Sequence, residues 1–207
     1  MMLDVRDLRF AWPRAERPVI DGVTLAIGEG EIVGLRGPSG TGKTTLARLL
    51  AGHLRPSTGD IRLDGRALPE RGRRPIQLVF QHAETAVDPR WKVRRILEEG
   101  WSPDLETRRA FGIADDWLDR RPHELSGGEL QRIAIVRALV PELRLLIADE
   151  LTAMHDAISQ VRIWKRLVDV ARERRFAILA VSHDDALLAA IGARVLSLTG
   201  GQIAPVN

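Results

Sequence analysis

Gly37, Pro38, Ser39, Gly40, Thr41, Gly42, Lys43, Thr44 and Thr45 stand in one unbroken run. The glycines let a backbone curl so that successive N–H groups aim at one point. Lys43 adds a cation and Thr44 a hydroxyl suited to Mg²⁺. The natural ligand of such a loop is a polyphosphate. Further along, the apolar run Leu143 to Ala148 ends in two adjacent carboxylates, Asp149 and Glu150. Alone, that run reads equally well as a strand meeting a polar turn. Beside a phosphate loop, Asp149 is expected to complete the Mg²⁺ shell with Thr44, and Glu150 to polarise an attacking water. Alternation along a strand is expected to send the two side chains in different directions. Between the two motifs, Ser126, Gly127 and Gly128 open a helix that runs through Ile133, Ile135 and Leu139. A hydroxyl and exposed N–H groups at a helix N-terminus form a second anion site.

The elements that must position these groups follow from periodicity. Glu31 to Gly37 predicts a strand and Lys43 to Leu54 a helix with Leu46, Leu49 and Leu50 on one face. Further strands are expected over Ile61 to Leu63, Ile76 to Phe80, Leu143 to Ala148 and Phe176 to Ser182. The two latest of these are almost continuously apolar, as strands covered on both faces are. An α/β chain with a buried sheet results, with the nucleotide at the carboxyl ends of the strands. Turn signals such as Asp64-Gly65 predict a small antiparallel layer near the start, and Val195 to Ile203 with Gly200-Gly201 a closing hairpin. No repeat or linker divides residues 1–207, so one domain is expected, with a helical part over roughly residues 82–140.

Bulk properties bound the partners. The chain has 207 residues, 44% hydrophobic and 29% charged, enough for a sizeable core. Its formal charge is only +3. The pI near 10.1 reflects a chain with no Tyr or Cys, and so few groups that titrate between neutrality and lysine. It is no argument for nucleic acid. The lack of cysteine excludes a disulfide framework and fits a reducing compartment. No stretch approaches the roughly 18 apolar residues of a membrane span, so membrane contact is expected to be peripheral.

Leu125-Ser126-Gly127-Gly128-Glu129-Leu130-Gln131-Arg132 resembles the signature sequence of ABC ATPase subunits. With the phosphate loop and the Asp149-Glu150 strand in family order, it identifies the chain as similar to that family. The resemblance implies an α/β P-loop NTPase core of ABC type, with a small antiparallel β layer and a helical signature subdomain. It also implies ATP and Mg²⁺ as ligands, and a head-to-tail homodimer or heterodimer in which Lys43 of one subunit and Ser126 of the other face the same ATP. Gln81, after the strand Ile76 to Phe80, is similar to the family glutamine that touches the metal or its water and senses the membrane partner. His183 in Val181-Ser182-His183-Asp184 is similar to the switch histidine at the γ-phosphate. Trp12 stands where an aromatic stacks on adenine, with core packing as the other reading.

Gln81 through Asp88-Pro89-Arg90, and Arg121-Pro122-His123-Glu124-Leu125-Ser126, resemble the peptide and nickel importer branch. That likeness implies transmembrane permease subunits as partners, an extracytoplasmic substrate-binding protein acting indirectly, and a place on the cytoplasmic face of the membrane. The segment after Gln81 and the arm up to Leu125 would then form the permease socket. Arg94, Arg95, Arg108 and Arg109 read as part of it or as solvated surface.

Departures stand out as well. Leu151 replaces the family proline, and Ala153-Met154-His155-Asp156 an otherwise small-residue run, so altered communication between the two sites of a dimer is expected. The chain ends at Asn207, soon after His183, without the longer extension common in that branch. Three function classes follow: a transport ATPase, a soluble ABC ATPase of nucleic-acid repair or translation, and a nucleotide-dependent interaction subunit. No inserted coiled coil or second cassette supports the second. Intact Lys43, Asp149, Glu150 and His183 oppose the third. Arg71-Gly72-Arg73-Arg74 and Arg172-Glu173-Arg174-Arg175 read as solvated helix ends, and no nucleic-acid partner is expected.

Overall fold

Strands that alternate apolar side chains to two faces need a cover on each. The computed structural model, which describes residues 1–69, 72, 74–151 and 157–206, supplies two. In chain order the strands are β1 (Leu3–Phe10), β2 (Ile20–Ile27), β3 (Ile32–Arg36), β4 (Thr58–Leu63), β5 (Arg66–Ala67), β6 (Ile76–Val79), β7 (Leu145–Asp149), β8 (Ala177–Val181), β9 (Arg194–Thr199) and β10 (Gln202–Pro205). The helices are α1 (Lys43–Leu50), α2 (Val93–Leu97), α3 (Leu105–Ala110), α4 (Gly127–Ala138), α5 (Ala157–Arg174) and α6 (Asp185–Ala190). One sheet has the order β10-β9-β3-β8-β7-β6, and the smaller antiparallel sheet the order β2-β1-β4-β5. In the larger sheet the five strands from β9 to β6 are parallel, and only β10 runs against its neighbour.

The central strands show why they are apolar throughout. Leu145, Ile147, Ala177, Leu179 and Val181 face a core shared with α1 and the antiparallel sheet. Leu146, Ala148, Ile178 and Ala180 face a second core, shared with α4, α5 and α6. Every residue of β7 and β8 is buried, so neither strand offers a polar face. The closing hairpin turns at Gly200 and Gly201, with φ of 58° and 79°, as a two-residue turn between twisted strands demands. Its Gly201 carbonyl accepts from the Asp21 N–H at 2.8 Å, which joins the two sheets.

Two expectations are corrected in detail. The helix expected to reach Leu54 stops at Leu50, because Gly52 takes φ 70° and the His53 and Gly52 N–H groups close on the Arg48 and Leu49 carbonyls at 2.8 and 2.9 Å. The stretch expected to be helical over residues 82–140 is mostly short pieces: 3₁₀ turns over Ala83–Ala86, Asp115–Asp119 and Pro122–Glu124, with α2 and α3 of only five and six residues. Gly100, Pro103, Gly112 and Pro122 interrupt it. Only α4 runs for three turns, and it packs on α2, on the turn Ala83–Ala86 and on β6. No helix among the described residues is long and apolar enough to cross a membrane.

One contact sets the spacing between β3 and α6. A Cβ added to Gly34 would lie 2.9 Å from Cδ2 of the fully buried Leu188, so α6 rests directly on the β3 backbone. Gly34→Ala is expected to cost about 1–3 kcal/mol by overpacking and Leu188→Ala about 2–5 kcal/mol by cavity formation. In urea unfolding the double variant should lose clearly less than the sum, because the added methyl fills part of the cavity. Strict additivity would show that the two residues do not share this space.

Candidate functional site

The phosphate loop joins β3 to α1, and its glycines are fixed by crowding as well as by conformation. Gly37 and Gly42 have φ of 154° and 99°. A Cβ at Gly37 would stand 2.4 Å from the Leu198 carbonyl oxygen, and one at Gly42 2.7 Å from Val19 Cγ1. A Cβ at Gly40, by contrast, would meet nothing within 4 Å, so only its φ of 79° favours glycine there. Thr41 Oγ1 donates to the Pro38 carbonyl at 2.9 Å and braces the curl around Ser39. The Lys43 ammonium donates to the carbonyls of Gly37 and Pro38 at 2.8 and 3.0 Å, so the cation lies across its own loop on neutral partners. These bonds to neutral carbonyls can be transferred to an anion.

Thr44, in the first turn of α1, lies beside the Asp149 carboxylate at the end of β7, and its hydroxyl offers that carboxylate a hydrogen bond, while Thr45 continues the helix. Asp149 is 5% exposed. Burial is the largest influence on it and pushes its carboxyl above the usual range. The Thr44 bond pulls it back, the charge of Glu150 raises it further, and those of Arg48 and Lys43 lower it.

Glu150 does not continue the strand. Its φ of 48° is left-handed and its N–H donates to the Val181 carbonyl at 3.0 Å. The chain therefore leaves the strand between the two carboxylates. The kink brings Glu150 Oε1 to 3.5 Å from Nδ1 of His183, whose imidazole is 76% exposed. His183 follows β8, and the residues around it are tied down. Ser182 N–H donates to the Leu35 carbonyl at 3.2 Å, and Asp184 caps α6 by accepting from the Leu187 N–H at 2.9 Å.

Gln81 emerges beyond β6, the neighbour of β7, and is half-buried. Ser126, Gly127 and Gly128 stand at the head of α4. Ser126 Oγ accepts from the Glu129 N–H at 3.3 Å while Glu129 Oε2 accepts from the Ser126 N–H at 2.7 Å, a reciprocal cap. Ser126 and Gly127 are exposed. Trp12, 40% exposed, meets Phe10 edge to face at 5.0 Å between ring centres. Its strand connection reaches Val19, which touches Gly42, so the indole belongs to the segment beside the phosphate loop.

Lys43, Thr44, Asp149, Glu150 and His183 are thus brought together at the ends of β3, β7 and β8. Ser126, Gly127 and Gly128 belong to the arm, and the bonds described for Ser126 stay within its own helix. Sequence reasoning missed two links. Gln131, buried to 1% exposure, donates from Nε2 to the Phe80 carbonyl at 3.0 Å and so holds the chain just before Gln81 to the signature helix. Arg36 Nη1 reaches both Asp185 carboxylate oxygens at 3.1 and 3.2 Å, which joins the residue before Gly37 to the helix after His183. A buried glutamine on an apolar helix face was the available signal for the first; nothing local marks the second. Leu151 is buried, whereas Ala153-Met154-His155-Asp156, Arg71 and Arg73 lie outside the described residues.

This arrangement can seat a polyphosphate on N–H groups and Lys43, with a carboxylate and an imidazole beyond its end. Its metal donors are hard oxygens. Among the described residues no three His, Cys, Asp or Glu gather to hold a metal ion unaided. Thr44 and Asp149 fit a small divalent cation that completes its shell with phosphate oxygens and water.

Comparisons with known proteins place the chain among ATP-binding cassettes. Residues 20–153 match the family described as ABC transporter. The nickel import ATP-binding protein NikE of Escherichia coli O6:K15:H31 (strain 536 / UPEC) is 37% identical, over 98% of this chain and 85% of its own length. That of Shigella boydii serotype 4 (strain Sb227) is 37% identical over 94% and 80%. Among solved structures, the ATP-binding cassette MJ0796, in a dimeric post-hydrolysis state bound to ADP and Pi, shares the fold. Its TM-score is 0.85 at 24% identity, covering 100% of this chain and 99% of that one. cbiO1 from Clostridium perfringens, part of the ABC transporter complex cbiONQ, has a TM-score of 0.81 at 26% identity, over 98% and 86%.

The raised Asp149 carboxyl makes a pH-dependent prediction. A group whose folded pKa exceeds its unfolded value stabilises the fold at low pH and ceases to as pH rises through the folded value. In metal-free protein, Asp149→Asn is therefore expected to raise the melting temperature at pH 8, with the gain shrinking towards pH 4. Equal effects at both pH values would show that burial of charge is not what Asp149 contends with.

Proposed function

This chain belongs to the ABC transporter family and is an ATPase of it, and on that premise we propose that it energises a membrane importer as a peripheral subunit on the cytoplasmic face. The cargo class proposed is nickel, another metal complex or a peptide. Likeness to NikE along almost the whole chain supports import and nickel. The observation that carries the reading is the division of anion sites. One set of phosphate-binding groups lies at the strand ends, and a second at Ser126, Gly127 and Gly128, the first two exposed, lies on the arm. A second chain, identical or different, places its Ser126 loop over this chain's nucleotide, and Ile158 and Val161, 67% and 64% exposed near the head of α5, offer apolar surface for such a neighbour. The permease docks on the segment after Gln81 and the arm, and a substrate-binding protein acts through the permease.

In this reading Trp12 stacks on the adenine, the loop Gly37 to Thr45 cradles the phosphates, and Lys43 exchanges its carbonyl partners for phosphate oxygens. Thr44, Asp149 and Gln81 would hold Mg²⁺, which neutralises charge on the phosphate oxygens. Glu150 takes the proton of the water that attacks the γ-phosphorus as the bond to the ADP oxygen breaks. His183 holds Glu150 in place and contacts the departing phosphate. Gln131 and Arg36 are positioning residues, since each acts through a neighbour: the first through Phe80 and Gln81, the second through Asp185 and the loop that carries His183.

Glu150→Gln is expected to lower ATP turnover by about 10²–10⁴-fold while ATP binding persists and a dimer accumulates. Undiminished turnover would remove Glu150 as the base. Ser126→Arg should abolish turnover but spare nucleotide binding by the monomer, and wild-type activity would reject a shared site. A tagged Glu150→Gln protein recovered from detergent-solubilised native membranes with Mg·ATP should bring multispan proteins in fixed ratio. Recovery of a closed ATP-bound dimer with soluble partners alone would end the importer assignment.

A further inference from the structure

Away from the nucleotide-facing strand ends, a cavity of about 210 Å³ opens where the arm meets the core. Its wall comes from three places: Arg109 and Gly112 at the end of α3, Arg132 on α4, and Ser159 and Arg162 on α5. Among the described residues no acidic side chain lines it. Three guanidinium groups therefore share one small space without a described acid among them.

Their neighbours are treated differently. Arg108 pairs with Asp115 at 3.1 Å, and Arg166 on α5 reaches Glu173 at 3.7 Å. Among the described residues Arg109, Arg132 and Arg162 have no such acid. Arg132 is the sharpest case. Its Nε is buried without an acceptor, a defect it shares with Arg144 and Arg166, yet both of those place a terminal nitrogen on a carboxylate and Arg132 does not. A Cβ at Gly112, where φ is 69°, would lie 3.0 Å from Arg132 Nη1, so the guanidinium rests against this turn at the cavity wall. A small cavity lined by three arginines and, among the described residues, by no acid is a place for an anion.

We propose that this cavity is a second oxyanion site, which takes a tetrahedral anion of the phosphate class between Arg109, Arg132 and Arg162 and so ties α3 and α4 to α5. Three forks that arrive from three elements suit an acceptor with oxygens in several directions better than a planar carboxylate with two. The consequence is mechanical. Arg132 is the residue after Gln131, which holds the chain at Phe80, and α5 is the helix that follows the Glu150 loop. An anion here restrains the signature helix against the part of the core that carries the Glu150 carboxylate.

The test uses the full-length Lys43→Ala protein without Mg²⁺, which weakens the phosphate loop as a competing site. Inorganic phosphate is titrated at constant ionic strength against sodium chloride, with thermal unfolding as the readout. A saturable rise in melting temperature of about 3–6 °C is expected when phosphate exceeds its dissociation constant tenfold. Arg109→Ala/Arg162→Ala in the same background, both exposed positions, should reduce the rise to that of chloride. Absence of a saturable rise in Lys43→Ala, or its persistence in the arginine double variant, would overturn the site. Acetate that reproduces the phosphate effect would overturn its tetrahedral class.

Discussion

Burial of the Asp149 carboxylate is the constraint on which the rest of the site depends. A carboxylate at the end of a strand with no exposed face is held in the one place where an apolar sheet meets the phosphate loop. Left alone there, its charge is opposed by the surroundings, and burial pushes its carboxyl upward. The Thr44 hydroxyl and the charges of Lys43 and Arg48 relieve part of that. The remainder is a standing preference for a cation, stored in the fold before any nucleotide arrives.

The same strand end explains the geometry of the second carboxylate. The Glu150 N–H still donates to the Val181 carbonyl as the last rung of the β7–β8 ladder, and only beyond that bond does the chain leave the strand, with Glu150 in a left-handed conformation. A non-glycine residue in that region is uncommon and costs of order 1 kcal/mol or more, which the surrounding sheet must hold in place. The turn sets Glu150 next to His183, so backbone strain at one residue determines which two side chains can act on one water.

Part-buried side-chain bonds to backbone carbonyls tie the arm together and to the core. Gln131 to Phe80, Arg137 to the Ala86 carbonyl at 2.9 Å, and Arg174 to the Leu139 carbonyl at 2.9 Å each cross from one element to another. These replace water at backbone carbonyls, so losing one leaves an unsatisfied buried group at a cost of about 1–3 kcal/mol. The many exposed ion pairs of the antiparallel sheet, such as Arg9 with Asp21, are screened and contribute far less to geometry. Movement of the arm against the core must stretch or exchange the part-buried bonds, and these give the two parts their linkage.

How much of this was legible beforehand divides along a physical line. Local spacing determined the phosphate loop, the Asp149-Glu150 pair, the capped start of α4 and the Gly200-Gly201 hairpin, because each is set by backbone conformation and hydrogen bonds within a few residues. Near-continuous apolar runs likewise marked β7 and β8 as strands covered on both faces. The end of α1 at Leu50 was misread, since helical periodicity carries no information about the chain reversal at Gly52. Tertiary structure alone decided that Arg36 meets Asp185, that Gln131 holds Phe80, that Leu188 presses on Gly34, and that three arginines from α3, α4 and α5 share one cavity. Those contacts depend on which strands become neighbours in a sheet, and neighbours there are chosen by the packing of whole faces rather than by any residue's place in the sequence.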